Sequence, residues 1–167
     1  MTLNDLNSLS TEDASSWFEQ CCAAKNWIYQ MVEARPYNDI DALIRQAKNA
    51  WAKCSDKDYL EAFTAHPMIG DVDSLRKKFA NTKTIAAGEQ SGTASASEAV
   101  LHQLKEANHA YLDKHGFIFI ICATGLSAET MLEALQARLQ NTTQQEINNA
   151  AAQQIQITLL RINKALD

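Results

Sequence analysis

His66 and Glu89 are the side chains best placed for acid–base chemistry, and they lie within the most irregular stretch of the sequence. This stretch, Phe63–Gly92, contains one of the two prolines and three of the five glycines. Because Pro67 disfavours α geometry at the residue before it, a helix through Tyr59–Ala65 is predicted to end at His66. The carbonyls exposed at a helix C-terminus favour a protonated imidazole. The sequence therefore predicts a non-helical segment around a histidine that exchanges protons near neutral pH.

An acid and an amide stand side by side near the far end of that stretch. Glu89 and Gln90 lie between Gly88 and Gly92. A carboxylate accepts hydrogen bonds and an amide both donates and accepts them, so the two side chains together can hold a urea or amide-like group. Two alternatives remain open: the acid and amide belong to a solvated loop, and His66 is a helix-capping or core histidine.

A single arginine on the last predicted helix is a candidate for binding an anion. Arg161 follows the apolar position Ile157 by one helical turn. An arginine so close to an apolar face either extends its charged end into water or reaches a buried anion. The residue pattern alone leaves both interpretations open.

The other three histidines are weaker candidates. His102 and His109 share one predicted helix with Glu106 between them, and helical periodicity turns both away from its apolar stripe, towards solvent. A surface metal site there is an alternative, but no HExxH motif and no compact Cys/His set accompanies them. His115 lies in the last turn of this helix, where the helix dipole alone favours a histidine. We therefore expect no metal site.

Composition narrows the classes of function. The chain has 167 residues and a net charge of −5, which argues against nucleic acid or an anionic membrane as a partner. No apolar run reaches the roughly 18–20 residues of a membrane span, and the first ten residues lack the pattern of a secretion signal. The four cysteines show no metal-ligand spacing and are expected to be buried in a reducing, cytoplasmic protein.

Helical periodicity runs through most of the chain. The pattern predicts an all-α fold, a single domain over residues 1–167 built as a bundle of roughly seven or eight helices. One helix is predicted to run from Trp17 to Val32 and to end at Arg35-Pro36. Helix starts are predicted at Ser10, Asp39, Asp56, Thr93–Ser97, Ser127 and Thr142–Thr143.

One apolar segment, Gly116–Gly125, does not follow the helical pattern. It reads Gly-Phe-Ile-Phe-Ile-Ile-Cys-Ala-Thr-Gly, which by local propensity is typical of a strand. A lone strand has no partner in a helical protein, so we expect a buried helical turn or an extended core segment. If the segment is extended, its backbone N–H groups need partners, and a polar ligand could supply them.

Four pieces of the sequence, taken in order, resemble the family of 2-oxo-4-hydroxy-4-carboxy-5-ureidoimidazoline (OHCU) decarboxylases. These enzymes carry out the last step of urate breakdown to (S)-allantoin. The pieces are Phe63-Thr-Ala-His-Pro-Met-Ile-Gly70, Gly88-Glu-Gln-Ser-Gly92, the segment Gly116–Gly125, and Leu135-Gln-Ala-Arg-Leu139 followed by Glu146 and Leu160-Arg161-Ile162. The resemblance implies an all-helical homodimer that uses neither a metal nor an organic cofactor.

The resemblance also implies roles for particular residues. The family's catalytic histidine falls on His66, next to Pro67 in the substrate site, and its catalytic acid falls on Glu89. Its amide and its arginine for binding substrate fall on Gln90 and Arg161. Its substrate-binding backbone amides fall on Ile118, Phe119, Ile120, Ile121, Cys122 and Ala123.

The sequence departs from the family pattern at one position. Many relatives have a serine three residues before the acid, where this chain has Ala86. Thr84 or Ser91 are the nearby hydroxyls that could take the place of that serine. A shortage of hydroxyl groups in this loop would weaken the binding of substrate.

Two other functions compete with the decarboxylase. One is a non-catalytic helical module that binds ureides in the same site, which predicts binding without turnover. The other is a metal-dependent hydrolase using His102 and His109, which predicts loss of activity with a chelator. The decarboxylase would be indifferent to a chelator.

Overall fold

The computed structural model describes residues 1–68, 71–86 and 97–166, and within them it is all-α. Its nine helices alternate with short connections, and no strand occurs in these ranges. The helices are α1 (Leu3–Ser8), α2 (Thr11–Cys21), α3 (Lys25–Glu33), α4 (Ile40–Ala52), α5 (Asp56–Thr64), α6 (Val72–Ala86), α7 (Glu98–His115), α8 (Ala128–Leu139) and α9 (Thr143–Ala165). The predicted fold class is confirmed, with more helices than the seven or eight expected.

Most predicted helix starts are confirmed by hydrogen-bonded caps. The side-chain oxygens of Ser10, Asp39, Ser97 and Ser127 each accept a hydrogen bond from a backbone N–H in the first turn of the helix that follows. Helix α5 does begin at Asp56, but the capping oxygen belongs to Ser55. Short polar side chains at these positions satisfy N–H groups that have no partner inside the helix.

The predicted helix from Trp17 to Val32 is wrong in one respect, because the chain breaks it into α2 and α3. Cys22 is extended at the end of α2, with φ −157° and ψ 126°. Both Cys22 and Ala24 in the connection are buried, as are Phe18 and Trp27 on either side. In one continuous helix Phe18 and Cys22 would lie on the opposite side from Ala24 and Trp27. The break between α2 and α3 therefore allows all four side chains to be buried together.

The contacts of the chain divide it into two compact units. The first, which we call the terminal unit, comprises Met1–His66 and Ile147–Asp167. Its core is anchored by two tryptophans whose indole N–H groups donate to backbone oxygens. Trp27 donates to the oxygen of Ala47 at 3.0 Å, and Trp51 donates to that of Ala151 on α9 at 2.9 Å. Helix α9 is thereby fixed to the amino-terminal helices of this unit.

The second unit, which we call the middle unit, comprises Pro67–Glu146 and contains α6, α7 and α8. Here the structure corrects the prediction that Phe63–Gly92 is non-helical, since α6 occupies Val72–Ala86. The side chain of Asp71 accepts a hydrogen bond from the N–H of Ser74 at 2.8 Å. Asp71 therefore starts a helix within the stretch that was predicted to be non-helical.

The segment between α7 and α8, residues 116–127, is irregular. Helix α7 ends at Gly116, which is left-handed with φ +78° and donates its N–H to the oxygen of Leu112 at 2.8 Å. A glycine takes this conformation without strain, as the sequence predicted. The following residues form neither helix nor strand. Of the two predicted conformations, the helical turn is therefore wrong, and two apolar side chains of the segment, Phe117 and Ile120, are buried.

A membrane-spanning helix was sought in the described ranges. None of their helices has the length and apolar character needed to cross a bilayer.

Candidate functional site

His66 stands where α5 has just ended. Ala65 caps this helix, and the N–H of His66 donates to the oxygen of Phe63 at 3.2 Å. Pro67 follows directly and is exposed. The helix therefore ends where the His-Pro pair predicts, and the imidazole is half-buried at the end of the first of the two segments that form the terminal unit.

A buried glutamine on α9 holds the ring of His66. The Nε2 atom of His66 lies 2.5 Å from Oε1 of Gln154, a residue that is 1% exposed. The amide Nε2 of Gln154 donates to Oγ1 of Thr158 at 3.1 Å, and Thr158 is also 1% exposed. Neither residue was predicted from the sequence, because helical periodicity assigns the inward face of a helix to apolar side chains. The available signal was the spacing of Gln154, Thr158 and Arg161, which places three polar side chains along one helix face.

The surroundings of His66 favour its neutral form. Burial lowers the pKa of the imidazole below its usual value of 6.5, and the positive charge of Arg161 lowers that pKa further. The hydrogen bond to Gln154 acts in the opposite direction and is outweighed. The expectation that the helix C-terminus favours the protonated ring is therefore wrong, because loss of hydration exceeds the helix dipole. A neutral imidazole has a lone pair with which it can accept a proton.

Arg161 projects from the same face of α9. Its Nη1 atom donates to the main-chain oxygen of Cys21, the last residue of α2, at 3.1 Å. Helix-end carbonyls have no partner inside the helix, so this bond anchors one part of the guanidinium. The residue is exposed overall, which fits the first of its two predicted alternatives, a charged group reaching water. His66 and Arg161 therefore lie close enough for the charge of one to act on the other.

The two cysteines beside Arg161 are neutral thiols. Burial raises the pKa of Cys21 and of Cys22 to about 11 in each case. A thiol becomes a strong nucleophile only as the thiolate, so neither is suited to covalent catalysis at neutral pH. The prediction that these cysteines are buried is confirmed, with Cys21 and Cys22 3% and 1% exposed.

The segment 118–123, predicted to offer backbone amides, lies in the middle unit and is held by Arg138. The Nη1 atom of Arg138 donates to the main-chain oxygen of Ile120 at 2.6 Å, and its guanidinium carbon is 4.5 Å from the centre of the Phe119 ring. Among the hydrogen bonds found within the described residues, none uses the backbone N–H of Ile118, Ile120 or Ile121. These N–H groups are therefore available to donate hydrogen bonds to a ligand.

A buried carboxylate fixes Arg138. Glu146 is fully buried, and its Oε1 lies 2.6 Å from Nε of Arg138. Tyr111 donates its hydroxyl to the same oxygen at 2.7 Å, and Asn141 donates to Oε2 at 2.8 Å. The carboxylate is thus satisfied by a cation and two further donors, whereas Nη2 of Arg138 is buried without a hydrogen-bond partner among the described residues. We call this set of Arg138, Glu146, Tyr111 and Asn141 the Glu146 network.

Several predicted site residues lie outside the described residues. Glu89 and Gln90 are among them, as is Ser91. The side chains of Thr84 and Ala86 are likewise not described. Their assigned roles stay predictions.

The remaining histidines do not form a metal-binding cluster in the part of the chain that the structure describes. His102 and His109 are exposed on α7, as predicted. A search of the described residues found no group of three or more His, Cys, Asp or Glu able to hold a metal ion. His115 is buried, and its Nδ1 is 2.9 Å from Oγ1 of Thr143. Burial lowers its pKa, so the expected stabilisation of the charged ring by the helix dipole does not prevail.

Comparison with known proteins gives a consistent family. A sequence model described as OHCU decarboxylase matches residues 7–163. The chain is 34% identical over 157 residues to the uric acid degradation bifunctional protein TTL of Arabidopsis thaliana, covering 93% of this chain and 48% of that protein. It is 27% identical over 174 residues to the 2-oxo-4-hydroxy-4-carboxy-5-ureidoimidazoline decarboxylase of Xenopus laevis, covering 97% and 93% respectively.

The fold is also similar to a solved structure. The crystal structure of an OHCU decarboxylase in the presence of (S)-allantoin superposes with a TM-score of 0.69 and 34% identity, over 90% of this chain and 96% of that one. The chain is shorter than the bifunctional relatives, spanning 48% of the Arabidopsis protein and 32% of the uric acid degradation bifunctional protein PucL of Bacillus subtilis.

Proposed function

The chain belongs to the OHCU decarboxylase family, and we propose that it decarboxylates 2-oxo-4-hydroxy-4-carboxy-5-ureidoimidazoline to (S)-allantoin in urate breakdown. The observation that carries this proposal is the pairing of His66 and Arg161 in the terminal unit. A half-buried imidazole with a lowered pKa is neutral and can accept a proton, and it lies beside a guanidinium that can bind an anion. An enzyme that acts on an anionic carboxylic acid needs both of these groups, one to accept a proton and one to bind the anion.

The substrate's own groups make a cofactor unnecessary. When the bond to the carboxylate breaks, CO₂ leaves and the bonding electrons remain on the ring carbon. The adjacent imine-type group of the ring can accept those electrons, so the substrate acts as its own electron sink. The protein then has to orient the substrate, transfer a proton and select one face for the new C–H bond. We therefore propose neither a metal nor an organic cofactor.

We assign roles to the residues from this chemistry and from the family resemblance. His66 exchanges a proton with the substrate hydroxyl or with the developing carbanion, a contribution of roughly 10²–10⁴-fold in rate. Arg161 binds an anionic or carbonyl oxygen, and Pro67 fixes the backbone after the histidine. Glu89 and Gln90 orient the ureido arm. The carboxylate of Glu89 can accept hydrogen bonds from that arm, and the amide of Gln90 can both donate to it and accept from it.

The backbone amides of Ile118, Phe119, Ile120, Ile121, Cys122 and Ala123 are proposed to bind further substrate oxygens. The support for this role is the irregular conformation of the segment and the N–H groups of Ile118, Ile120 and Ile121, which donate to no other described residue. The anchoring of Ile120 by Arg138 would hold these donors in a fixed direction.

Oligomeric state and location complete the proposal. We propose that the chain forms a homodimer in the cytoplasm, on the basis of the family resemblance and of four cysteines that form no disulfide within the described residues. Light scattering on the purified chain, giving about twice the monomer mass of 18.5 kDa, would support the dimer.

The main alternative is a non-catalytic module that binds ureides. It would use the same residues and would bind (S)-allantoin without accelerating decarboxylation.

The deciding experiment generates substrate from urate in situ and follows absorbance and circular dichroism, with and without the chain and with EDTA present. Faster loss of substrate, together with optical activity from (S)-allantoin, is expected. Decay at the rate of the blank, giving racemic product, would contradict the proposal and favour the binding module.

Variants then test the assigned residues. H66N and E89A are expected to lose most of the acceleration. H102N is the matched control, because it makes the same substitution at an exposed histidine. An H66N or E89A protein with nearly unchanged activity would contradict the corresponding role.

A further inference from the structure

The ring of His66 is hydrogen-bonded to the first of two buried side chains, Gln154 and Thr158, and the hydrogen-bond directions among the three groups can be worked out one by one. The chain begins at Thr158, whose hydroxyl is 2.9 Å from the main-chain oxygen of Gln154, one turn earlier in α9. That oxygen can only accept, so the hydroxyl proton of Thr158 is committed to it. Towards every other neighbour the Thr158 oxygen is therefore an acceptor.

One side chain meets this acceptor, because the side-chain amide of Gln154 is 3.1 Å from the Thr158 hydroxyl. Because the oxygen of Thr158 has no proton left to give, the amide must present its NH₂ group to it. The amide oxygen of Gln154 consequently faces His66.

The tautomer of His66 follows from this orientation. Oε1 of Gln154 is an acceptor only and lies 2.5 Å from Nε2 of the ring, so Nε2 must carry the proton. In the neutral ring, the lone pair is then on Nδ1. We propose that Gln154 and Thr158 are positioning residues that hold His66 as the Nε2–H tautomer, and that Nδ1 is the atom that exchanges a proton with substrate.

The catalytic part of this inference, proton exchange at Nδ1, rests on the proposed decarboxylation. In that step CO₂ leaves, the electrons of the broken C–C bond form an enol C=C bond, and the electrons of the ring C=N bond pass to nitrogen, which takes a proton from water. The Nδ1 lone pair then takes the proton of the enol hydroxyl, the electrons of the broken O–H bond form the carbonyl of the product, and the C=C electrons bond a proton from solvent at the adjacent ring carbon. The resulting imidazolium still donates from Nε2 to Gln154. The same partner therefore serves the ring before and after transfer, and no side chain has to turn.

The tautomer can be measured without any activity assay. Long-range ¹H–¹⁵N correlation spectra of histidine-labelled protein distinguish protonated from unprotonated ring nitrogens, and the spectrum of H66N identifies the His66 signals among the four histidines. The wild-type ring is expected to show a protonated Nε2 and an unprotonated Nδ1. T158V should populate the other tautomer, since the amide of Gln154 is then free to turn its NH₂ group towards the ring. T158S should keep the wild-type pattern.

Activity measurements distinguish a positioning role of Thr158 from a role in folding alone. T158V is expected to lower kcat by up to about 10²-fold with little change in KM, and T158S to restore it. Q154E places a carboxylate against the ring, which should raise the pKa of His66 and move the acid limb of the kcat profile to higher pH. Among the charged side chains described, Arg161 is the one that acts on this pKa, and it is unchanged in both variants. Q156E, the same change at an exposed position of α9, should leave the profile in place.

The outcomes distinguish this inference from the proposed function. A protonated Nδ1 in an active wild-type chain would overturn the inference alone, as would a T158V protein with wild-type tautomer and kcat. A chain without decarboxylase activity would overturn the proposed function and the catalytic role of Nδ1. In that case the spectra would still decide whether Gln154 sets the tautomer.

Discussion

Arg138 donates to the main-chain oxygen of Ile120 at 2.6 Å, while its Nε is paired at the same distance with the fully buried carboxylate of Glu146. One guanidinium therefore connects the irregular segment after α7 to the start of α9. A planar group with several donors in fixed directions can make both contacts at once, which a lysine cannot.

The first prediction concerns this ion pair. R138M should lower the free energy of unfolding by about 3–5 kcal/mol, because it leaves the Glu146 carboxylate buried without its cation. Urea denaturation measures the effect. R45M is the matched control, since Arg45 is exposed on α4, and it should change stability by less than about 0.5 kcal/mol. Equal losses in the two variants would contradict the importance of the buried pair.

The second prediction separates stability from site geometry. The double variant R138M/E146M removes both charges and should recover much of the stability lost in R138M, because no uncompensated charge remains. Binding of (S)-allantoin, measured by calorimetry, should stay weakened, since the oxygen of Ile120 has lost its anchor. Full recovery of binding along with stability would show that the segment needs no guanidinium to hold its shape.

The third prediction is the pH dependence of activity. Burial lowers the pKa of His66 below 6.5, and a proton-accepting ring must be neutral. The enzymatic rate, corrected for spontaneous decay at each pH, should therefore persist through pH 6.5 and fall only at lower pH. An acid limb that lies above pH 6.5 in the wild-type chain, and that is absent in H66N, would contradict the lowered pKa.

The same shift has a consequence for stability. Because the pKa is lower in the folded chain than in the unfolded one, the unfolded chain binds protons more readily. The stability advantage of wild type over H66N should be largest above the unfolded pKa and should shrink as pH falls. Thermal unfolding of both proteins between about pH 8 and pH 5 measures this difference.

The fourth prediction concerns Arg161. R161Q should reduce kcat/KM by roughly 10–100-fold, the loss expected for a hydrogen bond to a charged group. R161K keeps the charge but cannot reproduce the fixed donor directions, so it should fall between wild type and R161Q. K164Q, at an exposed cation one turn later, is the control for the lost charge. Similar losses in R161Q and K164Q would indicate general electrostatic attraction of substrate and not a specific contact.

The fifth prediction uses the cysteines as reporters. Cys21, Cys22 and Cys54 are buried, and burial raises the pKa of all three thiols to about 11 or above. Cys122 was also expected to be buried, but it is only half-buried in segment 118–123. Iodoacetamide at pH 7.5 should therefore label Cys122 first, as read by peptide mass spectrometry, and all four after unfolding. If the backbone amides of this segment bind ligand, (S)-allantoin should slow the labelling of Cys122; an unchanged rate would argue against that role.

Local signals were sufficient to predict most of the helices. Caps such as Ser127 and the left-handed Gly116 act within one or two turns, so the residues that determine them are neighbours in the sequence. The failure to predict α6 also comes from a local signal, which in this case was misleading. Ile69-Gly70-Asp71 is a turn pattern by composition, yet Asp71 also caps the helix that follows it.

The partners of the site residues could not be predicted in this way. Gln154 and Thr158 occupy inward positions of α9 that periodicity reserves for apolar side chains, and they are buried there because they satisfy one another and His66. The pairing with His66 joins residues far apart in the sequence, and its local sign is only the spacing of polar side chains along one face of α9. The prediction that the ring of His66 is held in its charged form was wrong for the same reason, because the pKa of the ring depends on its burial in the tertiary fold.

The separation of His66 from Gln154 also matters during synthesis. The two residues are 88 positions apart, so at about 5–20 residues per second a ribosome completes the second roughly 4–18 seconds after the first. Throughout that interval the amino-terminal helices have no α9 to cover them, and their apolar surface is exposed to other proteins in the cell. Chaperones that bind nascent chains are thus expected to associate with this protein until the last helix has emerged, and a message truncated before α9 should yield an aggregation-prone product.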